Sequence, residues 1–291
     1  MNIINYATPT YESGSFGGLA RFDYELRKVF PDMVSIQRSN LNWNLFDSKN
    51  TVVITDHTYV LDIPEPIKVI AVHHGMAAVH KERNTQWNGD FYVHAQSLMS
   101  RRNNTWFIGI SKFTEYYAKK HHNVNDYNVI LHSVDTIPSI NSYAGRNVVG
   151  DWRSQSKGHD IIDNLRSEVN DFSFSQLTCD KYVKNIGYEN KNIYLCLSVS
   201  EGNSYSMMDA IACGLPILST NVGLFYGDYD KRLGEVISWE DRSNFSLIKE
   251  KLEHIYENYN SYDPIGWLNE TIPFDKWKSK WRNLVEVIAN V

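Results

Sequence analysis

Glu201-Gly-Asn-Ser-Tyr-Ser-Met-Met-Asp-Ala-Ile-Ala-Cys-Gly-Leu-Pro-Ile-Leu-Ser-Thr-Asn-Val-Gly223 tells more about this chain than all the rest of it. An apolar run just before it, Ile193-Tyr-Leu-Cys-Leu-Ser198, has the composition of a strand, and Leu215-Pro-Ile-Leu-Ser219 inside it reads as the next strand. Residues 204–213 between them read as a helix. Gly214 suits the left-handed position just past a helix, and Pro216 cannot extend one. The order is therefore strand, loop, helix, strand. Glu201 lies in the loop and Asp209 about one turn into the helix, with seven residues between them.

That spacing has a physical use. Open N–H groups at a helix N-terminus suit an anionic diphosphate. A carboxylate in the loop just before it can accept hydrogen bonds from sugar hydroxyls. Helical side chains lean back toward the N-terminus, so Asp209 can meet a ribose while Glu201 meets a sugar. The arrangement resembles the acidic-x7-acidic signature of retaining GT-B glycosyltransferases, the family that includes sucrose and glycogen synthases and many mannosyltransferases. The resemblance implies that Glu201 contacts the transferred sugar and Asp209 the ribose, with Asn203, Ser204, Tyr205 and Ser206 lining the donor site. Two departures stand out. Asp209 replaces the usual Glu, and Asn203-Ser204 stand where the family often has an aromatic residue and Gly.

At 291 residues the chain is long for one ordinary domain and suits two. Hydrophobic residues at 42% and charged residues at 22% supply enough apolar mass for two cores. A net charge of −5 argues against a general nucleic-acid binder. Local basic spots, Arg101-Arg102, Lys119-Lys120-His121-His122, and Lys276, Lys278, Lys280 and Arg282, read as solvated faces. No apolar run approaches the roughly 18 residues that span a bilayer, and Met-Asn-Ile-Ile-Asn-Tyr is no signal-peptide pattern. Three cysteines make no disulfide framework. A cytoplasmic protein is expected.

Strand and helix patterns alternate throughout, as in α/β folds with parallel sheets. Strands are expected at 2–6, 51–55, 69–72, 106–110, 128–131 and 147–150, and helices at 19–30, 113–120, 158–169, 180–186, 242–258 and 274–290. The turn formers of 134–145 mark a linker. The expectation is a GT-B architecture of two Rossmann-like domains facing a central cleft. Residues 1–142 form the acceptor side and 146–273 the nucleotide-sugar side. In the resembled family a C-terminal helix crosses back to the first domain, the role expected of 274–291, whose stripe is Trp277, Trp281, Leu284 and Ile288.

Further segments fit the resemblance. Asn128-Val-Ile-Leu-His-Ser-Val-Asp135 is similar to the family's strand leading into Asn-Gly-Val-Asp, with His132-Ser133 in place of Asn-Gly. After the next strand, Val148-Val-Gly-Asp-Trp-Arg-Ser-Gln-Ser-Lys-Gly158 stands where the family has Gly-Arg and then Lys-Gly, cations that neutralise the donor diphosphate. Arg153 and Lys157 are the candidates. Gly17 and Gly18 close a Gly-rich loop between the first strand and first helix, where backbone can approach a phosphate. His73 ends the strand at 69–72, and carboxyl ends of parallel strands collect chemistry. Many family members have a His here near the transferred sugar, and a buried structural His is the other reading. A zinc site from His73, His74 and His80 lacks a further ligand of known spacing, so no metal is expected.

The resemblance implies a retaining, metal-independent glycosyltransferase. It would use a UDP- or GDP-linked sugar and a glycan, lipid or other hydroxyl acceptor, without a separate cofactor. The leaving diphosphate would help deprotonate the acceptor. Three alternatives stay open: a non-catalytic nucleotide-sugar-binding or scaffold protein, a GT-B-type sugar epimerase, and a modified DNA base as acceptor, which the net charge disfavours.

Overall fold

A computed structural model describes residues 1–6, 17–37, 41–83, 90–124, 126–135, 144–177 and 186–291. The helix expected at 180–186 falls, all but its last residue, outside these, as does most of the segment 134–145. The chain divides into two compact units, Met1–Leu131 with Asp275–Val291, and His132–Phe274. The first chain crossing thus comes a few residues ahead of the expected linker.

The first unit contains β1 (Asn2–Tyr6), α1 (Gly18–Val29), β2 (Val34–Ile36), β3 (Thr51–Asp56), β4 (Lys68–His73), α2 (Ala77–Glu82), α3 (Asp90–Met99), β5 (Thr105–Gly109), α4 (Lys112–His122) and β6 (Tyr127–Val129). Its sheet is parallel throughout, in the order β2-β1-β3-β4-β5-β6. β3 is buried along its whole length and β4 along all but Lys68. That explains their near-continuous apolar sequence, since parallel strands are covered on both faces. α1 buries Phe22, Leu26 and Val29, and also two acids, Asp23 and Glu25. Asp23 accepts hydrogen bonds from Asn5 Nδ2 (2.6 Å) and Ser35 Oγ, and Glu25 is paired with Arg21 (2.6 Å) and Lys28 (2.7 Å).

The second unit contains β7 (Asn147–Gly150), α5 (Ile162–Glu168), β8 (Ser173–Gln176), β9 (Ile193–Cys196), α6 (Tyr205–Ala212), β10 (Ile217–Thr220), β11 (Gly234–Ile237), α7 (Phe245–Glu257) and α8 (Pro264–Thr271). Its parallel sheet has the order β11-β10-β9-β7-β8. Val148, Leu165, Ile193, Leu195, Leu218, Ile248 and Leu252 form its core. α6 ends as the sequence requires: Gly214 has φ 80°, its N–H donates to Ile211 O (2.9 Å) and the Leu215 N–H to Ala210 O (3.0 Å).

All but the first residue of the last helix, α9 (Phe274–Ala289), belongs to the first unit. Its buried stripe is Trp277, Trp281, Val285 and Ile288, so Val285 takes the place expected for Leu284. Trp281 lies 5.4 Å from Phe22, and Lys68 Nζ donates to Ala289 O at 2.7 Å. Among the described residues no helix is long and apolar enough to cross a membrane.

Candidate functional site

In the second sheet the chain leaves β7 toward β8 on one side and later crosses to β9 on the other. In open α/β sheets, ligands bind outside the carboxyl ends of the strands at such a reversal. The segments leaving β7 and β9 there carry Asp151 to Gly158 and Leu197 to Ser204, and the Val199 N–H laces them together by donating to Ser156 O (2.9 Å). Arg153, Lys157 and Glu201 all fall on these two segments.

The group that gathers them is one the motifs of the sequence do not mark. Asp151, the first residue past β7, is buried. Its Oδ1 accepts from Arg153 Nε (2.6 Å), and its Oδ2 from an Arg153 terminal nitrogen (2.9 Å) and from Lys157 Nζ (3.0 Å). On its other side Lys157 meets Glu201 Oε1 at 3.0 Å, and that oxygen also accepts from Ser198 Oγ (3.2 Å). Two cations and two carboxylates form one chain of contacts. The Glu201 carboxylate raises the Lys157 ammonium well above its ordinary value, against burial, with Asp151 adding to it. Burial pushes the Asp151 carboxyl up, but Arg153 and Lys157 outweigh it and hold it at about 2. An acid two residues before an arginine, at the carboxyl end of a strand, was the available signal for Asp151.

A depressed carboxyl stabilises the fold above its unfolded value and loses that contribution as pH falls through its folded value. From the ordinary 3.8 down to about 2, the contribution is about 2 kcal/mol at neutral pH. Asp151→Asn should therefore be less stable than the parent by about that amount at pH 7. The gap should begin to close below about pH 4, as urea unfolding of both proteins across pH would show. A gap that stays constant down to pH 3 excludes this linkage.

The N-terminus of α6 carries the remaining donor-site candidates. Ser204 caps the helix, its Oγ accepting from the Met207 N–H (3.2 Å). Ser206 is held by two tyrosines: its Oγ lies 2.9 Å from Tyr194 Oη, and its carbonyl accepts from Tyr188 Oη (2.7 Å). The Tyr205 ring stacks on His132, with centroids 4.3 Å apart and planes at 18°. Asn203 is buried with no hydrogen-bond partner for either atom of its amide. Asp209 is buried one turn into the helix. Beside Arg153 opens a cavity of about 410 Å³ lined also by Trp152, His159, Ile162, Arg166 and Gln176.

Gly17, Gly18 and His73 belong to the first unit. Gly17 is the residue before α1 and Gly18 its first, and a side chain added at either would meet no atom of the described residues within 4 Å. His73 ends β4 as expected, but its ring has no exposed surface. It stacks against Phe107 and Tyr127, and its Nδ1 lies 2.7 Å from the Tyr127 hydroxyl. This is the packing of a core histidine, and of the pair it is His74 that is partly exposed. Among the described residues no three His, Cys, Asp or Glu side chains come together as a metal site.

Solved structures share this architecture over the whole chain. Sucrose-phosphate synthase from Thermosynechococcus elongatus superimposes with a TM-score of 0.74 at 10% identity, covering 99% of both chains. The fold is that of the GT-B glycosyltransferases. A second GT-B neighbour, HepE from Anabaena in complex with UDP and glucose, has a TM-score of 0.72 at 10% identity and covers 99% of this chain and 100% of its own. A third, a TarM variant from S. aureus with fondaparinux, alpha-GlcNAc-glycerol and UDP, reaches 0.63 at 12% identity. Its match covers 85% of this chain and 57% of TarM. No protein-family model matches the sequence, and a search of curated proteins finds no match. At such identities, the GT-B likeness is one of fold.

Proposed function

We propose that the chain is a glycosyltransferase moving a sugar from a nucleoside-diphosphate sugar to the hydroxyl of a glycan, lipid or other acceptor. The observation that carries this reading is Lys157 held between Asp151 and Glu201 at the strand reversal of the second sheet. Lys157, Arg153 and the N-terminus of α6 stabilise the diphosphate as the bond to the sugar breaks. Glu201 receives the sugar hydroxyls and Asp209 the ribose. The sugar leaves with oxocarbenium character and keeps its anomeric configuration, and the departing diphosphate takes the acceptor proton. UDP is the first nucleotide to try, since HepE and TarM are complexed with it, and GDP the second. Protein cations do the work of a divalent ion, so turnover should survive EDTA.

One feature favours a second reading. Arg153 and Lys157 are already neutralised by carboxylates, which suits a protein that binds a nucleotide sugar without turning it over. A panel of nucleotide sugars, scored for thermal stabilisation and for release of nucleoside diphosphate, separates the two. Binding without release supports the scaffold.

Calorimetry on two variants tests the assignment of the acids. Glu201→Gln should weaken the intact donor by roughly 10- to 100-fold, the loss of a charged hydrogen bond. Bare UDP, which lacks the sugar, should bind at least as well, because Lys157 loses a competing carboxylate. Asp209→Asn should weaken both ligands by similar factors. If Glu201→Gln weakens UDP as much as the donor, or Asp209→Asn affects neither, the assignment is wrong.

A further inference from the structure

A polar side chain buried without a partner costs free energy, so folded proteins pair nearly all such groups. Asn203, on the loop that enters α6, breaks that rule. It is 2% exposed, and among the described residues neither its Oδ1 nor its Nδ2 has a hydrogen-bond partner. Among the described residues no other side chain buries two polar atoms in this way. The polar groups beside it in the chain are paired. Ser198 Oγ donates to Glu201 Oε1 at 3.2 Å, Ser204 Oγ accepts from the Met207 N–H at 3.2 Å, and Ser206 Oγ lies 2.9 Å from Tyr194 Oη. The segment leaving β10 packs on the peptide just before Asn203: a Cβ on Gly223 would lie 3.0 Å from Gly202 O. There Asn221 Oδ1 already accepts from the Trp239 N–H at 3.0 Å.

An amide is half donor and half acceptor: Nδ2 gives hydrogen bonds and Oδ1 receives them. An ionised phosphate offers only acceptors, so Oδ1 would repel it. A sugar presents hydroxyls, each able to do both. Two neighbouring hydroxyls on one ring fit the planar amide, one donating to Oδ1 while Nδ2 donates to the oxygen of the other. An acetamido group fits poorly, because a secondary amide is trans and directs its N–H and C=O to opposite sides. Position agrees with chemistry. Asn203 stands two residues after Glu201, the acid assigned to the sugar, and six before Asp209, assigned to the ribose. Glu201 alone leaves the recognition incomplete, since a carboxylate only accepts and its Oε1 already serves Lys157 and Ser198.

We infer that the Asn203 amide reads two adjacent hydroxyls of the transferred sugar, which makes the donor a hexose that carries both. The inference rests on the proposed transfer reaction and narrows its donor. In this role the amide stays unpaired until the sugar arrives, and the cost returns as selectivity. A site whose buried groups await hydroxyls rejects an analogue lacking one far more strongly than an apolar pocket rejects a missing methylene. On a hexopyranosyl ring the hydroxyls at carbons 2, 3 and 4 make two adjacent pairs, and both contain the 3-hydroxyl. The 3-hydroxyl is therefore read whichever pair Asn203 takes.

Turnover and calorimetry on the full chain test it, with UDP-glucose as the first probe and GDP-mannose as the second. The 3-deoxy form of the accepted donor should be turned over at least about 100-fold more slowly than the donor itself. Where a donor binds without turnover, the same ratio is read as affinity. Asn203→Leu keeps the branched outline of the side chain and removes its polar atoms. It should shrink the 3-deoxy discrimination at least about tenfold, slow the intact donor by a similar factor and bind the bare nucleoside diphosphate as the parent does. Without ligand it should unfold no lower than the parent, since two unpaired polar atoms are gone. Asn203→Ala, too small to overpack the site, should lose the discrimination in the same way. A structural amide gives the opposite result: both variants melt more than about 5 °C below the parent and keep the discrimination. Undiminished discrimination in either folded variant overturns the inference. So does equal weakening of donor and bare diphosphate, which would set the amide against the nucleotide. Failure of the proposed function is distinct, because then neither nucleotide sugar nor diphosphate binds the parent, and the inference falls with it.

Discussion

Lys157→Met should cut turnover of the preferred nucleotide sugar about 100- to 1000-fold, the loss typical when a group aimed at developing transition-state charge is removed. Methionine keeps the length of the side chain and deletes the ammonium, so the change is electrostatic. Asp151 would still hold Arg153, but Glu201 would lose its 3.0 Å cation contact. The two carboxylates that Lys157 now separates would then face an incoming diphosphate with no cation between them. Affinity for the bare diphosphate should fall as well, because the lost charge serves ground state and transition state alike. Initial rates of donor hydrolysis and titration with UDP measure the two effects. A variant within tenfold of the parent in both would remove Lys157 from the reaction, and with it the main support for the proposed function.

The second large effect concerns stability and begins one residue before Asp151. A Cβ placed on Gly150 would lie 2.3 Å from the Leu195 carbonyl oxygen and 2.5 Å from the Trp152 ring. Neither neighbour can yield cheaply. Leu195 belongs to β9, whose pairing with β7 defines the strand reversal, and Trp152 is a fully buried core side chain. Gly150→Ala should therefore cost on the order of 3 kcal/mol in urea unfolding, the upper range for overpacking a core. Gly75→Ala is the control, since no atom of the described residues lies within 4 Å of its Cβ. It should stay within about 0.5 kcal/mol of the parent. Equal stability of the two variants would mean that β7 and β9 can separate freely at the site.

What the sequence revealed and what it hid follow from the physics of each signal. The stretch from Ile193 to Thr220 was legible because β9, the Ser204 cap, α6, Gly214 and β10 each carry a local, mutually consistent cue. The central strands were legible for the same reason. The strands that escaped, β2, β8 and β11, lie at the edges of the two sheets and are short and partly exposed. Their apolar pattern is correspondingly weak. α3 escaped because its outward stripe carries Phe91 and Leu98, which blurs the contrast between faces. At the site, Arg153, Lys157 and Glu201 could be placed by their distance from strand ends. Asp151 stands nearer still to a strand end, but its role comes from burial and from partners that only folding assembles. Nor could adjacency decide which way His73 and His74 point: the alternation of side chains along β4 turns one ring into the core and leaves the other partly exposed.

The return of α9 to the first unit also sets the order in which the chain can mature on the ribosome. The first 131 residues emerge first, yet Trp277, Trp281, Val285 and Ile288, which complete their hydrophobic interior, are synthesised after the whole of the second unit. Until then Phe22 waits without the indole it packs against, and Lys68 without its carbonyl at Ala289. The unit translated second is a single continuous segment, His132–Phe274, and is able to finish first. Such a nascent chain keeps apolar surface open for much of its synthesis, the period in which exposed segments recruit chaperones or aggregate. Losing a few residues at the far end would thus damage the fold of the opposite half.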